Sequence, residues 1–219
     1  MGIRSLVCAA TVIGLGAMLS FGRSKTAFPD PVIDIPASQV AGPQTAVLAG
    51  GCFWGMEAVF EHLKGVINVV SGFAGGDKST AHYETVSTGR TGHAESVKIT
   101  FDPKQITYGQ ILKVYFSVAH DPTELNHQGP DYGTQYRSAI FYANDEQKRV
   151  AEAYIQQLDE AKVYSHKIVT QVAPLTGFYP AEAYHQHYLE NHMDQPYIVY
   201  NDLPKLAALK KQFPEMCKR

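Results

Sequence analysis

The order of the apolar segments constrains the fold of this chain more than any other feature. Between residues 45 and 161, segments typical of strands and helices alternate, and glycine or Asp-Pro turns separate them. Their order, β-α-β-β-α-β, predicts an α+β fold, a ferredoxin-like split β-α-β two-layer sandwich with C-terminal additions. The predicted strands cover 45–49, 66–73, 93–101 and 137–143, with an extra strand over 168–173, and the predicted helices cover 54–63, 107–119, 144–161 and 181–190.

Length and charge exclude several classes of protein. A chain of 219 residues is long enough for one domain with a sizeable core. With 19 Lys and Arg against 21 Asp and Glu, binding to nucleic acid through bulk positive charge is excluded. The three cysteines, Cys8, Cys52 and Cys217, are too few and too far apart for a disulfide framework. A globular enzyme or a binding module remains, and we expect a monomer.

The N-terminal residues do not fit the pattern of the domain. Arg4 precedes an uncharged apolar run, 6–21, which has the length of a signal-peptide core and is short for a membrane span. The sequence therefore predicts that residues 1–27 are a signal peptide or an N-terminal membrane anchor and that the protein is exported. We assign 28–44 to a Pro-rich linker, 45–200 to the domain that carries the candidate functional residues described below and 201–219 to a C-terminal tail.

Cys52 is the first candidate for a nucleophile. It follows Gly50 and Gly51 at the end of a predicted strand and precedes a predicted helix. The N-terminus of a helix lowers the pKa of a thiol, and the thiolate is the nucleophilic form. A buried and inert cysteine is the alternative.

Glu95 is a candidate acid. In the strand 93–101 it shares its face with Val97, Ile99 and Phe101, so its carboxyl group points toward the core. Burial raises the pKa of a carboxyl group, and a protonated carboxyl group near neutral pH can act as a general acid. The alternative is a carboxylate at the edge of the strand that turns outward or pairs with Arg137.

Other groups surround these two. Phe53 and Trp54 flank the thiol and could form an apolar pocket or belong to the core of the helix. Asp131 and Tyr136 lie at a polar loop, 120–135, of the kind that often carries function. A metal site is not predicted among the histidines between 185 and 192, because the sequence places no cysteine or carboxylate to complete a set of ligands.

Six motifs lie in order along the predicted domain. They are Gly51-Cys-Phe-Trp-Gly55, Ser71-Gly-Phe-Ala-Gly-Gly76, Thr91-Gly-His-Ala-Glu95, Gly129-Pro-Asp-Tyr-Gly-Thr-Gln-Tyr-Arg-Ser138, Phe178-Tyr-Pro-Ala-Glu182 and Tyr184-His-Gln-His-Tyr188. Together they resemble one family, the A-type peptide methionine sulfoxide reductases, which act on the S epimer of methionine sulfoxide. The resemblance spans roughly 45–200, in the order of the family.

The resemblance implies a role for each matching residue. Cys52 matches the nucleophile that attacks the sulfoxide sulfur and becomes a sulfenic acid, and Glu95 matches the acid that protonates the sulfoxide oxygen. Phe53 and Trp54 match the pocket for the S-methyl group. The remaining matches are Tyr83 and Tyr136, which help to hold the sulfoxide oxygen, and Asp131, which positions the substrate.

The family also implies the partners of the reaction. The substrate is methionine sulfoxide, free or in oxidised proteins, and the reductant is an external dithiol such as thioredoxin. No metal or organic cofactor is implied. Many members carry resolving cysteines in a glycine-rich tail, which this chain lacks. Cys217 is the internal candidate, provided that its terminal segment is mobile, and direct reduction of Cys52 is the alternative.

Two other classes of function stay open from the residues alone. A cysteine hydrolase or acyltransferase would use Cys52 with a histidine such as His93 or His185, and would act on esters or amides without a reductant. A binding module would hold methionine sulfoxide while Cys52 stayed unmodified. The presence of a thiol and an acid together argues against the binding module.

Overall fold

The computed structural model describes residues 28–218, and in this part of the chain helices pack on a six-stranded sheet. The strands are β1 (Gln44–Ala49), β2 (Val66–Ala74), β3 (Ala94–Phe101), β4 (His127–Gln128), β5 (Asp131–Tyr132), β6 (Ala139–Tyr142), β7 (Gln171–Pro174) and β8 (Phe178–Pro180). The α-helices are α1 (Phe53–Glu61), α2 (Tyr83–Val86), α3 (Tyr108–Val114), α4 (Asp145–Glu160), α5 (Tyr188–Asn191) and α6 (Leu203–Gln212).

The sheet has the strand order β7-β6-β1-β3-β2-β8, and β4 pairs with β5 in a separate hairpin. Every pair in the large sheet is antiparallel except β6 with β7, which is parallel. Leu48 pairs with Val97 across β1 and β3, and Phe73 pairs with Glu95 across β2 and β3. The arrangement is α+β, with the β1 strand at the centre.

The two faces of the sheet differ because successive side chains of a strand alternate. From β1, Ala46 and Leu48 join the large core that the helices complete. Val47 and Ala49 join a smaller apolar cluster on the opposite face. The helices therefore build one main layer against the sheet, and residues 53–61 of α1 lie in that layer directly after β1.

The predicted helix over 181–190 is wrong. A 3-10 turn covers Ala183–His185, Gln186 is extended, and His187 has a left-handed backbone with φ of 53°. The Gln186 side chain explains the break, because it accepts from the Ser71 N–H at 3.0 Å and donates to the Ser71 carbonyl at 3.0 Å. A tertiary pairing with β2 thus replaces the local helical bonds.

The Pro-rich segment before β1 is packed on the domain. The Pro29 carbonyl accepts from the Tyr154 hydroxyl at 2.6 Å, and Asp34 accepts from the Gly109 N–H at 2.8 Å. The signal peptide or anchor predicted over residues 1–27, with Cys8, lies outside the described residues. No helix between residues 28 and 218 is long and apolar enough to cross a membrane.

The C-terminal segment is also packed. Leu206, Leu209 and Phe213 are buried in the main core. Near the terminus, the backbone of Cys217 forms an isolated antiparallel bridge with Leu63, just beyond the end of α1. Residues 203–217 are therefore packed on the domain next to α1, whereas the sequence indicated a mobile tail.

Candidate active site

Cys52 lies between the end of β1 and the start of α1, as the N-cap residue of the helix. The turn needs glycine at Gly51, because its φ is +87° and an added Cβ would lie 2.7 Å from Cβ of Gln128. Cys52 is buried, with 8% of its surface exposed. The local sequence therefore places a buried thiol at the N-terminus of α1.

A buried hydrogen-bond network holds the end of β1, directly before this turn. The Tyr115 hydroxyl donates to the Ala49 carbonyl at 2.8 Å and lies 2.9 Å from the Ser138 hydroxyl. Ser138 also pairs with Nε2 of His120 at 2.7 Å. Because burial lowers the pKa of His120 to about 3, its imidazole is neutral and serves to hold the end of β1.

Glu95 lies beside Cys52. The pairing of Leu48 with Val97 places Glu95 level with the residues that follow β1, and Oε2 of Glu95 accepts from the Phe53 N–H at 3.1 Å. The side chain is 2% exposed, and burial raises the pKa of its carboxyl group to about 8. Arg137 instead donates to the carbonyls of Gly92 and His93, so it does not compensate the Glu95 charge. Near neutral pH the carboxyl group is protonated.

The pKa of Cys52 shifts against the sequence expectation. Burial raises the pKa of the thiol well above its usual value, and the Glu95 and Asp202 carboxylates act in the same direction. A hydrogen bond from the Trp54 backbone N–H, which the helix start supplies, lowers it by less. Desolvation outweighs the helix N-terminus because the thiol is buried.

The two aromatic residues after the thiol have different surroundings. Phe53 is fully buried against Phe73, with ring centroids 5.8 Å apart. Trp54 is half-buried, and Tyr188 stacks on it at 3.7 Å with an interplanar angle of 8°. The Trp54 indole Nε1 donates to Nδ1 of His185 at 3.1 Å. These contacts fix the orientation of an apolar wall next to Cys52.

Three further residues of the predicted site, Tyr83, Tyr136 and Asp131, lie around the Cys52 thiol and the Glu95 carboxyl group. Burial raises the pKa of Tyr83 to about 12, with the charges of Glu95 and Cys52 acting in the same direction. Burial, Glu95 and Asp131 raise the pKa of Tyr136 as well. Both hydroxyls are therefore protonated donors near the acid and the thiol. Asp131, at the start of β5, accepts a short hydrogen bond from the Tyr197 hydroxyl.

Neither histidine of the hydrolase alternative is arranged as a base for Cys52. Nδ1 of His93 accepts from the Gly76 N–H at 3.2 Å, and its Nε2 lies 2.9 Å from the Asp77 carbonyl. Nδ1 of His185 accepts from the Trp54 indole, so in the neutral ring its Nε2 carries the proton and is a donor. The geometry therefore favours an acid next to the thiol over a thiol–imidazole pair.

Cys217 lies at the other end of α1. Its Sγ donates to the Phe213 carbonyl at 3.3 Å, and its backbone pairs with Leu63. Leu63 is eleven positions after Cys52, a separation of about 16 Å at 1.5 Å per helical residue. A disulfide needs a Cα–Cα distance below about 7 Å. Cys52 and Cys217 are both free, and a bond between them would require the tail to leave its place.

Sequence reasoning missed the site residues that come from beyond 195. Tyr197 bonds Asp131, and its ring lies edge-on to Trp54 at 5.9 Å. Asp202 and Lys205 form an ion pair of 3.1 Å next to the first turn of α1. The spacing of three residues between Asp202 and Lys205 was the available signal, since side chains so spaced are neighbours on a helix.

One group of side chains in the described residues could hold a cation. A carboxylate oxygen from each of Glu57 and Glu61 and a ring nitrogen of His187 lie within 4.8 Å of one another. The break of the predicted helix brings His187 to this place, which the sequence alone did not indicate. The group lies on the side of α1, and the chemistry at Cys52 does not use it.

Comparison with known proteins agrees with this geometry. The family model described as peptide methionine sulfoxide reductase matches residues 44–216. MsrA 2 of Mesorhizobium japonicum is 62% identical over 175 residues, which cover 80% of this chain and 90% of that protein. MsrA 2 of Synechocystis sp. is 50% identical over 208 residues, which cover 94% of this chain and 97% of that protein. Both relatives are named peptide methionine sulfoxide reductases.

Solved structures give the same result. Reduced Mxr1 from Saccharomyces cerevisiae matches with a TM-score of 0.64 and 34% identity, over 70% of this chain and 87% of that one. Methionine sulfoxide reductase A of Corynebacterium diphtheriae matches with a TM-score of 0.61 and 36% identity, over 70% of this chain and 77% of that one. The site combines a thiol, a buried acid and aromatic side chains, and the family model covers most of the described residues. This protein therefore belongs to the peptide methionine sulfoxide reductase family.

Proposed function

We propose that this protein reduces methionine S-sulfoxide, free or in oxidised proteins, to methionine. One observation carries the proposal: the Cys52 thiol and the protonated Glu95 carboxyl group lie side by side, joined through the Phe53 backbone, at the N-terminus of α1. A sulfoxide needs a nucleophile at sulfur and an acid at oxygen, and this pair supplies both.

The reaction divides between the two groups. The Cys52 thiolate attacks the substrate sulfur while Glu95 gives a proton to the sulfoxide oxygen. The attack forms a bond between the two sulfur atoms. The protonated oxygen then passes to the Cys52 sulfur while this S–S bond and the S–O bond of the substrate break, which leaves Cys52 as a sulfenic acid and releases methionine. Two electrons pass from the Cys52 sulfur to the substrate sulfur, so the substrate is reduced and the enzyme is oxidised.

The surrounding residues fit an amphipathic substrate. Trp54, held by Tyr188 and His185, offers an apolar wall for the S-methyl group. The protonated hydroxyls of Tyr83 and Tyr136 can donate to the sulfoxide oxygen. Asp131, half-buried and bonded to Tyr197, can accept from an N–H of the substrate.

The stereochemistry of turnover tests this proposal. We expect the wild-type protein with dithiothreitol to convert N-acetyl-methionine S-sulfoxide completely, and to leave the R epimer unchanged, because one pocket cannot place both the methyl group and the oxygen of the two epimers. Chiral chromatography of a racemic mixture measures both. Consumption of neither epimer, together with turnover of a thioester, would favour the hydrolase instead.

We also propose that an external dithiol such as thioredoxin reduces the Cys52 sulfenic acid directly. The first thiol of the reductant forms a mixed disulfide with Cys52 and releases water, and its second thiol then frees Cys52. The position of Cys217 at the far end of α1 supports direct reduction, since no movement of the packed tail is then needed.

Replacement of Cys217 by serine tests the route of regeneration. We expect the Cys217→Ser variant to keep turnover within about twofold of the wild type with thioredoxin as well as with dithiothreitol, because the thiol is buried away from Cys52. Steady-state rates with both reductants measure this. Loss of the thioredoxin-dependent rate alone would show that Cys217 resolves the sulfenic acid.

Two further predictions, on the topology of the sheet and on export, are also proposals. We propose that β6-β1-β3-β2 is the ferredoxin-like core, which its antiparallel order and the crossover helices α1 and α3 support. We also propose that the protein is exported, because an uncharged apolar run of signal-peptide length follows Arg4. Fractionation of the source cells tests export.

A further inference from the structure

An ion pair from the C-terminal segment lies next to the first turn of α1. Asp202 is fully buried, and Nζ of Lys205 donates to its Oδ1 at 3.1 Å. Oδ2 of Asp202 is buried without a hydrogen-bond partner among the described residues. Lys205 is therefore the group that compensates this buried carboxylate.

Gly55 brings the pair close to the nucleophile. A Cβ at Gly55 would lie 2.1 Å from Oδ1 of Asp202 and 2.9 Å from Nζ of Lys205, so both side chains lie directly on the helix backbone. Cys52 is the N-cap residue of α1 and Gly55 is the third helical residue, and the side chain of an N-cap residue lies next to the backbone of the second and third helical residues. The ammonium group is thus within electrostatic reach of the thiol.

The charges around Cys52 are mostly unfavourable to a thiolate. The Glu95 and Asp202 carboxylates raise the pKa of Cys52, and Lys205 lowers it. Burial raises the pKa of Asp131, and the positive charge of Lys205 opposes that shift. The titratable groups that face the thiol are Glu95 on β3, Tyr83 on α2, Tyr136 before β6, Tyr197 and Asp202 before α6, and Lys205 on α6.

We propose that Lys205, held in place by Asp202, is a positioning residue whose positive charge stabilises the Cys52 thiolate in an otherwise acidic site. The inference rests on the proposed function only in taking Cys52 as the nucleophile. Without the Lys205 ammonium group, the Cys52 thiolate would form beside the buried and uncompensated Asp202 carboxylate. The C-terminal segment, which supplies both residues, therefore takes part in the chemistry.

The pH dependence of alkylation tests this inference. Iodoacetamide reacts with the thiolate, and mass spectrometry of the Cys52 peptide in the full chain separates Cys52 from Cys8 and Cys217. For Lys205→Met we expect the midpoint of the pH profile to rise by about one unit, with about tenfold slower alkylation below the midpoint. Lys205→Arg, which keeps the charge, should restore the wild-type profile. Asp202→Asn should shift the midpoint downward.

The midpoint is expected to rise in Lys205→Met and to fall in Asp202→Asn, and these opposite shifts separate an electrostatic role of Lys205 from a structural one. Lys211→Met, on the exposed side of the same helix, is the matched control and should leave the profile unchanged. Thermal unfolding reports the folded state of each variant, and if Asp202→Asn does not fold, the Met and Arg variants of Lys205 decide. An unchanged midpoint in Lys205→Met, or shifts of the same sign in Lys205→Met and Asp202→Asn, would overturn the proposal. Because no sulfoxide is present, failure of the proposed function leaves this result intact.

Discussion

The Cys52→Ser variant is expected to lose more than about 10³-fold in kcat/KM for methionine S-sulfoxide. Serine is similar in size to cysteine, but its hydroxyl group is a far weaker nucleophile toward sulfur and cannot become a sulfenic acid. Turnover with dithiothreitol measures the loss, and trapping with dimedone should label Cys52 in the wild type only after one equivalent of sulfoxide is added.

Substrate binding provides the control for Cys52→Ser. Trp54 is the single tryptophan of the chain and is the proposed contact of the S-methyl group, so its fluorescence should report substrate binding. We expect the serine variant to keep a wild-type dissociation constant within about threefold, since serine preserves the shape of the pocket. Residual turnover near the wild-type rate would mean that another group is the nucleophile.

The second large effect is expected for Glu95→Gln. Loss of a general acid costs about 10²- to 10⁴-fold in rate, and glutamine keeps the size of the side chain and its acceptor for the Phe53 N–H. Because the pKa of Glu95 is raised to about 8, the carboxyl group is protonated below that pH and ionised above it. The measured rate is divided by the fraction of Cys52 that is thiolate at each pH. The corrected wild-type rate should therefore fall as the pH rises through about 8.

The glutamine variant should lack that fall. Its rate should only increase with pH, as more of Cys52 becomes thiolate. Pre-steady-state formation of methionine between pH 6 and 10 measures both profiles. Glu84→Gln, an exposed carboxyl group next to Tyr83, is the control and should keep the wild-type rate and profile. A fall of the same shape in Glu95→Gln would assign the acid to another group.

Much of this site follows from local rules that the sequence obeys. The alternation of side chains in β3 places Glu95 on the core side with Val97 and Ile99, and the structure buries all three. The strand that ends at Gly50-Gly51 and the helix that follows place Cys52 at a helix N-terminus. Both inferences need only the period of a strand and the position of a turn.

Other parts depend on contacts between distant residues and could not be predicted. The direction of the Cys52 pKa shift is one, because burial by side chains from separate elements decides it. The break at His187 is another, because Gln186 exchanges helical bonds for bonds to Ser71. The placement of Asp202 on α1 requires the fold of the last 20 residues, which carry no motif.

The close approach at Gly55 also separates two kinds of relative. Any side chain at this position, even a methyl group, would overlap Oδ1 of Asp202, so it cannot coexist with the present placement of the Asp202–Lys205 pair. A homologous chain with a larger residue here must hold the side chains at these two positions differently. One position in α1 therefore sorts such chains into those that can hold a carboxylate–ammonium pair directly on the active-site helix and those that cannot.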